Sequence, residues 1–187
     1  MELIKAWTRI QEYHPLAPTG ARLFFKQRAL FFVTIHSMIA VIQRVTSASV
    51  SVSEPHYKSN IQHGFCILLG VEDGDDETEA NWFAKKISTM RIFPDAEGKM
   101  NLSILDVTGE ILLISQFTLA ANCSQGNRPS FVRAASPELA EPLYERVGEQ
   151  LEKTGIVVTY GVFGADMKVE ISNDGPVTII LKRDYTT

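Results

Sequence analysis

Two short runs hold the residue types best suited to chemistry. In Ser115-Gln116-Phe117-Thr118-Leu119 two hydroxyls bracket an amide and an aromatic ring. In Asn173-Asp174-Gly175-Pro176-Val177-Thr178 a residue without a side chain precedes one without an N–H. A hydroxyl nucleophile needs a base within hydrogen-bond reach. All four histidines (His14, His36, His56, His63) precede residue 64, so no imidazole stands near either run in sequence. A hydrolase built on these runs must use backbone groups and the substrate itself. A strand that stops at a sheet edge leaves N–H groups unpaired, and such donors can hold a developing oxyanion. A Gly-Pro pair presents little but carbonyl oxygens. If its peptide bond is cis, which proline makes accessible, neighbouring carbonyls point the same way and can bind an ammonium group. Taken alone, Ser115 and Thr118 read more simply as a strand end, and Asn-Asp-Gly-Pro is by default a hairpin turn.

The elements that position these runs follow from periodicity. Residues 39–45 and 48–53 are predicted as two strands, the second alternating with period two. Pro55 and His56 then turn the chain. The apolar run from Phe65 to Val71 is expected as a central strand. Asp75 or Asp76 caps a helix whose apolar face is Ala80, Phe83, Ala84 and Ile87. Residues 94–98 form a turn, and Ile111 to Ile114 is a buried strand running directly into Ser115. A polar loop extends from Asn122 to about Arg128. Ser136-Pro137-Glu138 opens a second helix with a capping serine and a first-turn proline. Ala140, Leu143, Tyr144, Val147 and Leu151 form its stripe, and Lys153 and Gly155 its end. Strands are predicted from Ile156 to Tyr160, Met167 to Ile171 and Val177 to Leu181, the last two joined by the Asn-Asp-Gly-Pro turn. The expected fold is a single α/β domain with a mixed or antiparallel, curled, barrel-like sheet and two main helices.

Composition narrows the function classes. The 187 residues are 45% hydrophobic and 21% charged, ordinary for one globular domain. No apolar run reaches the length of a membrane span. Net charge is −4, which argues against tight, non-specific nucleic-acid binding but not against a brief visit to one RNA end. Charge is uneven. Lys5, Arg9, Arg22, Lys26 and Arg28 face only Glu2 and Glu12 in the first 37 residues, a net of +3, so residues 38–187 carry −7. Residues 1–37 are expected to be an extension outside the fold, from an upstream start or a targeting segment. The domain proper is expected over 38–187. Cys66 and Cys123 suggest neither a disulfide framework nor a zinc cluster. Cys66 reads as a buried hydrophobe. Cys123 has no base near it in sequence, as a cysteine hydrolase would need. Both suit a reducing, cytoplasmic setting.

Several motifs in order carry a specific resemblance. They are Ile42-Gln43-Arg44-Val45, Arg91-Ile92-Phe93, Gly98-Lys99-Met100-Asn101, Ser115 to Leu119, Asn127-Arg128-Pro129-Ser130-Phe131, Phe163-Gly164-Ala165-Asp166-Met167 and Asn173 to Thr178. From Met38 to about Lys182 the chain resembles the D-aminoacyl-tRNA deacylase family. The resemblance implies an enzyme that hydrolyses the ester joining a D-amino acid, or glycine mischarged on tRNA-Ala, to the 3′ end of tRNA. It implies a homodimer with active sites at the interface, and no metal or cofactor. Ser115, Gln116, Phe117 and Thr118 would line the pocket at the ester carbonyl. Gly175 and Pro176, joined by a cis bond, would reach into the partner's site and reject L-amino acids. Phe163 and Met167 would contact the terminal adenine. The RNA's own 2′-OH would help position or activate the attacking water, with backbone N–H groups near Gln116 and Phe117 holding the oxyanion, which fits the missing histidine. One departure concerns the 122–128 loop, often more basic in the family. Here Arg128 is its only cation, with Lys85, Lys86, Lys99 and Arg133 as other candidates for phosphate contact. The alternative reading is a nucleic-acid-binding protein of the same fold without deacylase activity. A relative that removes L-alanine is disfavoured, because it is expected to have a trans Gly-Pro bond and a different run in place of Ser-Gln-Phe-Thr-Leu.

Overall fold

The computed structural model describes residues 38–54, 56–124 and 126–183. The extension expected over residues 1–37 lies outside them. Strand β1 (Ile39–Val52) organises the sheet. Along one edge it pairs first with β3 (Gly64–Gly70) and then with β2 (Tyr57–Ile61). Along the other it pairs with β8 (Lys168–Lys182) for nearly its whole length. All three pairings are antiparallel. β6 (Glu110–Ser115) continues the sheet parallel to β3, and β7 (Val157–Tyr160) lies parallel to β6. The order is therefore β2-β1-β3-β6-β7, with β8 added on β1. The hydroxyl of Tyr57 on β2 donates to the carbonyl of Tyr160 on β7 at 2.8 Å, so the two ends of this path meet and the sheet curls into the expected barrel. A short hairpin, β4 (Phe93–Pro94) with β5 (Met100–Leu102), stands apart.

Helices α1 (Glu77–Thr89) and α2 (Pro137–Glu152) cover one face. Phe65, Ile67, Leu69, Ile111 and Leu113 point to them, meeting Phe83, Ile87, Val147 and Leu151. Cys66, Leu112 and Ile114 point the other way, into the barrel with Val45, Val50 and Ile61. Both faces of β3 and β6 are thus covered, which is why those strands are continuously apolar. Asp76 is the cap of α1, its carboxylate accepting from Thr78 and Glu79 N–H at 2.7 and 3.2 Å. Asp75 is buried instead, accepting from Met38 and Glu72 N–H at 3.0 and 2.7 Å. At α2 the hydroxyl of Ser136 makes no capping bond to the backbone. The start is set by Pro137, whose missing N–H needs no partner in the first turn.

Two expectations are corrected. The segments 39–45 and 48–53 are one strand. The register with β8 steps from Val45↔Asn173 to Ser47↔Ser172, so Thr46 is an extra residue that shifts the alternation by one. Ala40 and Ile42 face the helices, whereas Ala48 and Val50, of the same parity, face the barrel interior. Likewise Asn-Asp-Gly-Pro is no hairpin turn. β8 passes straight through it, and between Thr178↔Gln43 and Asn173↔Val45 the four residues Asp174 to Val177 stand opposite Arg44 alone. That is a wide bulge held within a strand pair.

Candidate active site

β6 ends because its partner does: the last paired residues are Leu69 and Ser115. Gln116 N–H still donates to Leu69 O at 2.8 Å, and the chain then tightens into a 3₁₀ turn, Phe117–Ala120. The turn sits directly on Gly70, where a Cβ would stand 2.8 Å from Gln116 O and 3.1 Å from Leu119 Cβ. Only glycine permits that approach. The opening amides of such a turn have no carbonyl behind them. Among the described residues, Phe117 N–H and Thr118 N–H make no hydrogen bond, whereas Gln116 N–H is committed to β3.

A cleft of about 530 Å³ opens beside this turn. Ser115, Gln116 and Phe117 form one wall. Phe163 and Met167 form another, carried by the turn between β7 and β8. Gly161 lets that wall close up, since a Cβ there would stand 2.6 Å from Met167 Sδ and 2.9 Å from Ile114 Cδ1. The Phe163 ring leans on Tyr144, centroids 5.9 Å apart. Five of the residues expected at the site therefore share one cavity. Thr118 lies just off its wall, and its hydroxyl accepts from Gln116 Nε2 at 2.5 Å. Sequence reasoning missed Ala134, Ala135 and Asp166, which also line the cleft. The alanines follow the Asn-Arg-Pro-Ser-Phe motif and signal only that small side chains leave room there.

Among the described residues, folding brings no imidazole to the cleft. His63 instead packs against Phe93, centroids 4.9 Å apart and planes tilted by 58°, and His56 does not line the cavity. The hydroxyl of Tyr144 is buried and donates to Leu113 O at 2.7 Å. Burial raises its pKa well above the ordinary tyrosine range, so it anchors β6 and is no base. Cys66 is buried, its thiol pushed up to about 12 by desolvation. Cys123 is exposed and does not line the cleft. Arg133, weighed as a phosphate contact, is paired with the buried carboxylate of Glu72.

Gly175 and Pro176 lie elsewhere on the chain, exposed at the β8 bulge, and their peptide bond is cis. The bulge is held from beneath by Arg44, whose residue is only 8% exposed. Nη1 donates to Ile92 O at 2.6 Å, and Nε lies 2.9 Å from Asp174 Oδ2. This last is an ion pair by distance whose angle falls short of a hydrogen bond. Val177 is buried on the far side, and the hydroxyl of Thr178 donates to Gln43 Oε1 at 2.5 Å. The bulge is thus fixed at both ends with its two central residues facing solvent.

Comparison with known proteins meets this geometry. The family model described as D-Tyr-tRNA(Tyr) deacylase matches residues 41–182. The D-aminoacyl-tRNA deacylase of Geotalea uraniireducens is 55% identical over 145 residues, covering 78% of this chain and 93% of the relative. That of Pelobacter propionicus is 53% identical over 146 residues, covering 78% of this chain and all of the relative. A solved structure named c-Myc DNA Unwinding Element Binding Protein superposes with a TM-score of 0.73 at 43% identity, over 79% of this chain and 99% of that one. With nearly the whole length of these relatives matched at this identity, the chain belongs to the D-aminoacyl-tRNA deacylase family and is an enzyme of that activity.

Proposed function

We propose that the cleft takes the 3′-terminal adenosine of a D-aminoacyl-tRNA, with the ester carbonyl over the opening of the 3₁₀ turn. Phe163 and Met167 hold the adenine, an aromatic face and a thioether being suited to a flat base. Phe117 N–H, with Thr118 N–H beside it, receives the oxygen that becomes negative as water adds to the carbonyl. The carbon–O3′ bond then breaks, and the 3′ oxygen leaves with the proton that the attacking water gives up. The neighbouring 2′-OH, both donor and acceptor, positions the water and relays its proton to O3′. Thr118 Oγ, already bound to Gln116, shapes the turn and does not attack. The observation that carries this reading is a pair of unspent amides beside a cleft that no histidine of the described residues lines.

Selection by handedness is proposed to come from a second copy of the chain. In a homodimer, Gly175 and Pro176 of the partner subunit enter the cleft. Their carbonyls accept from the substrate ammonium and occupy the place an L side chain needs. A D side chain points away, and glycine has none, so glycine mischarged on tRNA-Ala also passes. What supports this is that the bulge is exposed, anchored at both ends, and outside its own chain's cleft. Excluding the abundant L-substrate by a clash is specificity through repulsion, and it serves as proofreading after synthesis. A cytoplasmic enzyme fits the reduced state expected of the two thiols.

The decisive experiment compares hydrolysis of D-Tyr-tRNA and L-Tyr-tRNA by the full chain. Turnover of the D-form alone is expected. Absence of D-turnover would favour the nucleic-acid-binding alternative, which the name of the superposed neighbour also fits. A tRNA ending in 2′-deoxyadenosine is expected to react on the order of 10²-fold more slowly, or worse, as loss of a positioned proton-transfer group entails. Wild-type rates on it would remove the 2′-OH from the mechanism.

A further inference from the structure

A pair of aromatic rings at the mouth of the cleft has no task in the chemistry above. Phe117 is 59% exposed and Phe131 37% exposed. Their centroids are 5.3 Å apart at 68°, an edge-to-face arrangement that leaves ring faces uncovered. Leaving one phenyl ring largely and a second partly in water forgoes burial that a core position would supply, and side by side at a cleft they mark a binding surface. The backbone under Phe131 is fixed on both sides. Before it, Asn122 and Ser130 exchange two hydrogen bonds of 2.8 and 3.0 Å that close the neck of the loop. After it, Ala134 N–H donates to Phe131 O, and Asp73 N–H to Arg133 O, each at 2.9 Å. The side chain of Arg133 is tied to Glu72. The ring is thus presented in advance, at little ordering cost on binding.

The surroundings identify the occupant. Arg128, three residues before Phe131, is exposed and makes no hydrogen bond or ion pair among the described residues. The same segment then lines the cleft through Ala134 and Ala135. Aromatic faces on a segment that carries an exposed guanidinium three residues earlier, continuous with a pocket for a terminal nucleoside, suit single-stranded nucleic acid: bases stack and the phosphate meets the cation. We propose that Phe131, with Phe117, forms a stacking platform for the nucleotide immediately 5′ of the terminal adenosine, and that Arg128 contacts the intervening phosphate. This rests on the deacylase reading of the cleft and extends it from one nucleoside to the single-stranded tail of the tRNA. It also supplies a grip on RNA that needs only one cation from the 122–128 loop.

The test uses two substrates and the full-length chain. D-Tyr-tRNA has the second nucleotide, and 3′-O-(D-tyrosyl)adenosine lacks it. Phe131→Leu keeps an apolar side chain but removes the ring. It is expected to raise KM for D-Tyr-tRNA roughly 5- to 150-fold, the range of a lost base stack, with kcat little changed. On the adenosine ester it should match wild type. Phe131→Tyr should restore the tRNA KM. Arg128→Gln should weaken tRNA alone and lower the salt slope of KM by about 0.7, the value of one single-strand phosphate. Equal loss on both substrates would make Phe131 a structural residue and overturn the proposal. So would no loss on either, or a change in sedimentation mass without substrate dependence. If wild type cleaves neither substrate, the deacylase reading itself fails, an outcome distinct from these.

Discussion

Replacing Gly175 by alanine separates the role of the bulge from that of the cleft. Gly175 has φ +115°, backbone that side-chain-bearing residues enter at a cost of about 1–3 kcal/mol. The added Cβ would stand 2.9 Å from Val177 Cγ2 and 3.1 Å from both Val177 N and Arg44 Nη2. Val177 and Arg44 are buried, so neither swings aside freely, and overpacking of this kind adds roughly 1–3 kcal/mol. Partial relaxation makes the two contributions less than additive. The expected loss is about 2–4 kcal/mol from a total of roughly 5–15 for a domain, so the variant stays folded. Gly98→Ala is the control: φ is +77° there, but nothing lies within 4 Å of the new Cβ, so only the backbone cost of about 1–2 kcal/mol applies. Urea denaturation measures both, as a lower midpoint at unchanged slope. The same preparations are assayed on D- and L-Tyr-tRNA. Displacing the bulge should raise kcat/KM for the L-form relative to the D-form in Gly175→Ala and leave the ratio unchanged in Gly98→Ala. If Gly175→Ala matches the control in stability, the packing argument is refuted. If it is destabilised but keeps full stereoselectivity, the bulge is not the selective wall.

Other outcomes follow from the same geometry. Arg44→Met should cost about 2–3 kcal/mol in urea, because it strands the Ile92 carbonyl and leaves Asp174 unpaired; the figure lies below the roughly 3–5 kcal/mol of a fully buried pair because Asp174 is 34% exposed. Arg44→Lys should restore little of this, a single ammonium being unable to span both partners. Thr118→Ala and Cys123→Ala should each retain most of the D-Tyr-tRNA rate, and near-total loss in either would install a side-chain nucleophile. Burial raises the Asp75 pKa to about 6, with the charges of Glu79 and Glu72 adding to the effect. The fold therefore favours its protonated form. That contribution is complete below about pH 4 and is lost as pH rises to about 6, a change of about 2–3 kcal/mol. The stability difference between Asp75→Asn and wild type should grow in favour of the variant across this interval, read from urea midpoints. A difference independent of pH would show that Asp75 does not titrate there.

Much of this molecule was legible in one dimension. The continuous apolar runs of β3 and β6 announce elements covered on both faces, and their short length between turn residues marks them as strands. The stripes of α1 and α2 name their core residues, because burial along a helix repeats with its turn. The ordered motifs were enough for the family. Local signals misled where a bulge imitates an end. Thr46 breaks the alternation of β1 as a turn would, and Asn-Asp-Gly-Pro has turn composition although both flanks stay paired to the same strand. Pairing partners are distant in sequence, so only assembled geometry decides between a bulge and a turn. The same holds for the site. That Gln116 N–H is spent on Leu69 while Phe117 and Thr118 N–H are not, that Phe163 and Met167 close over Ser115, and that Arg44 reaches under a bulge 130 residues further on are consequences of register and packing. Residue types determine which groups can donate, accept, stack or exclude; the tertiary structure decides which of them are left unspent, and where they face.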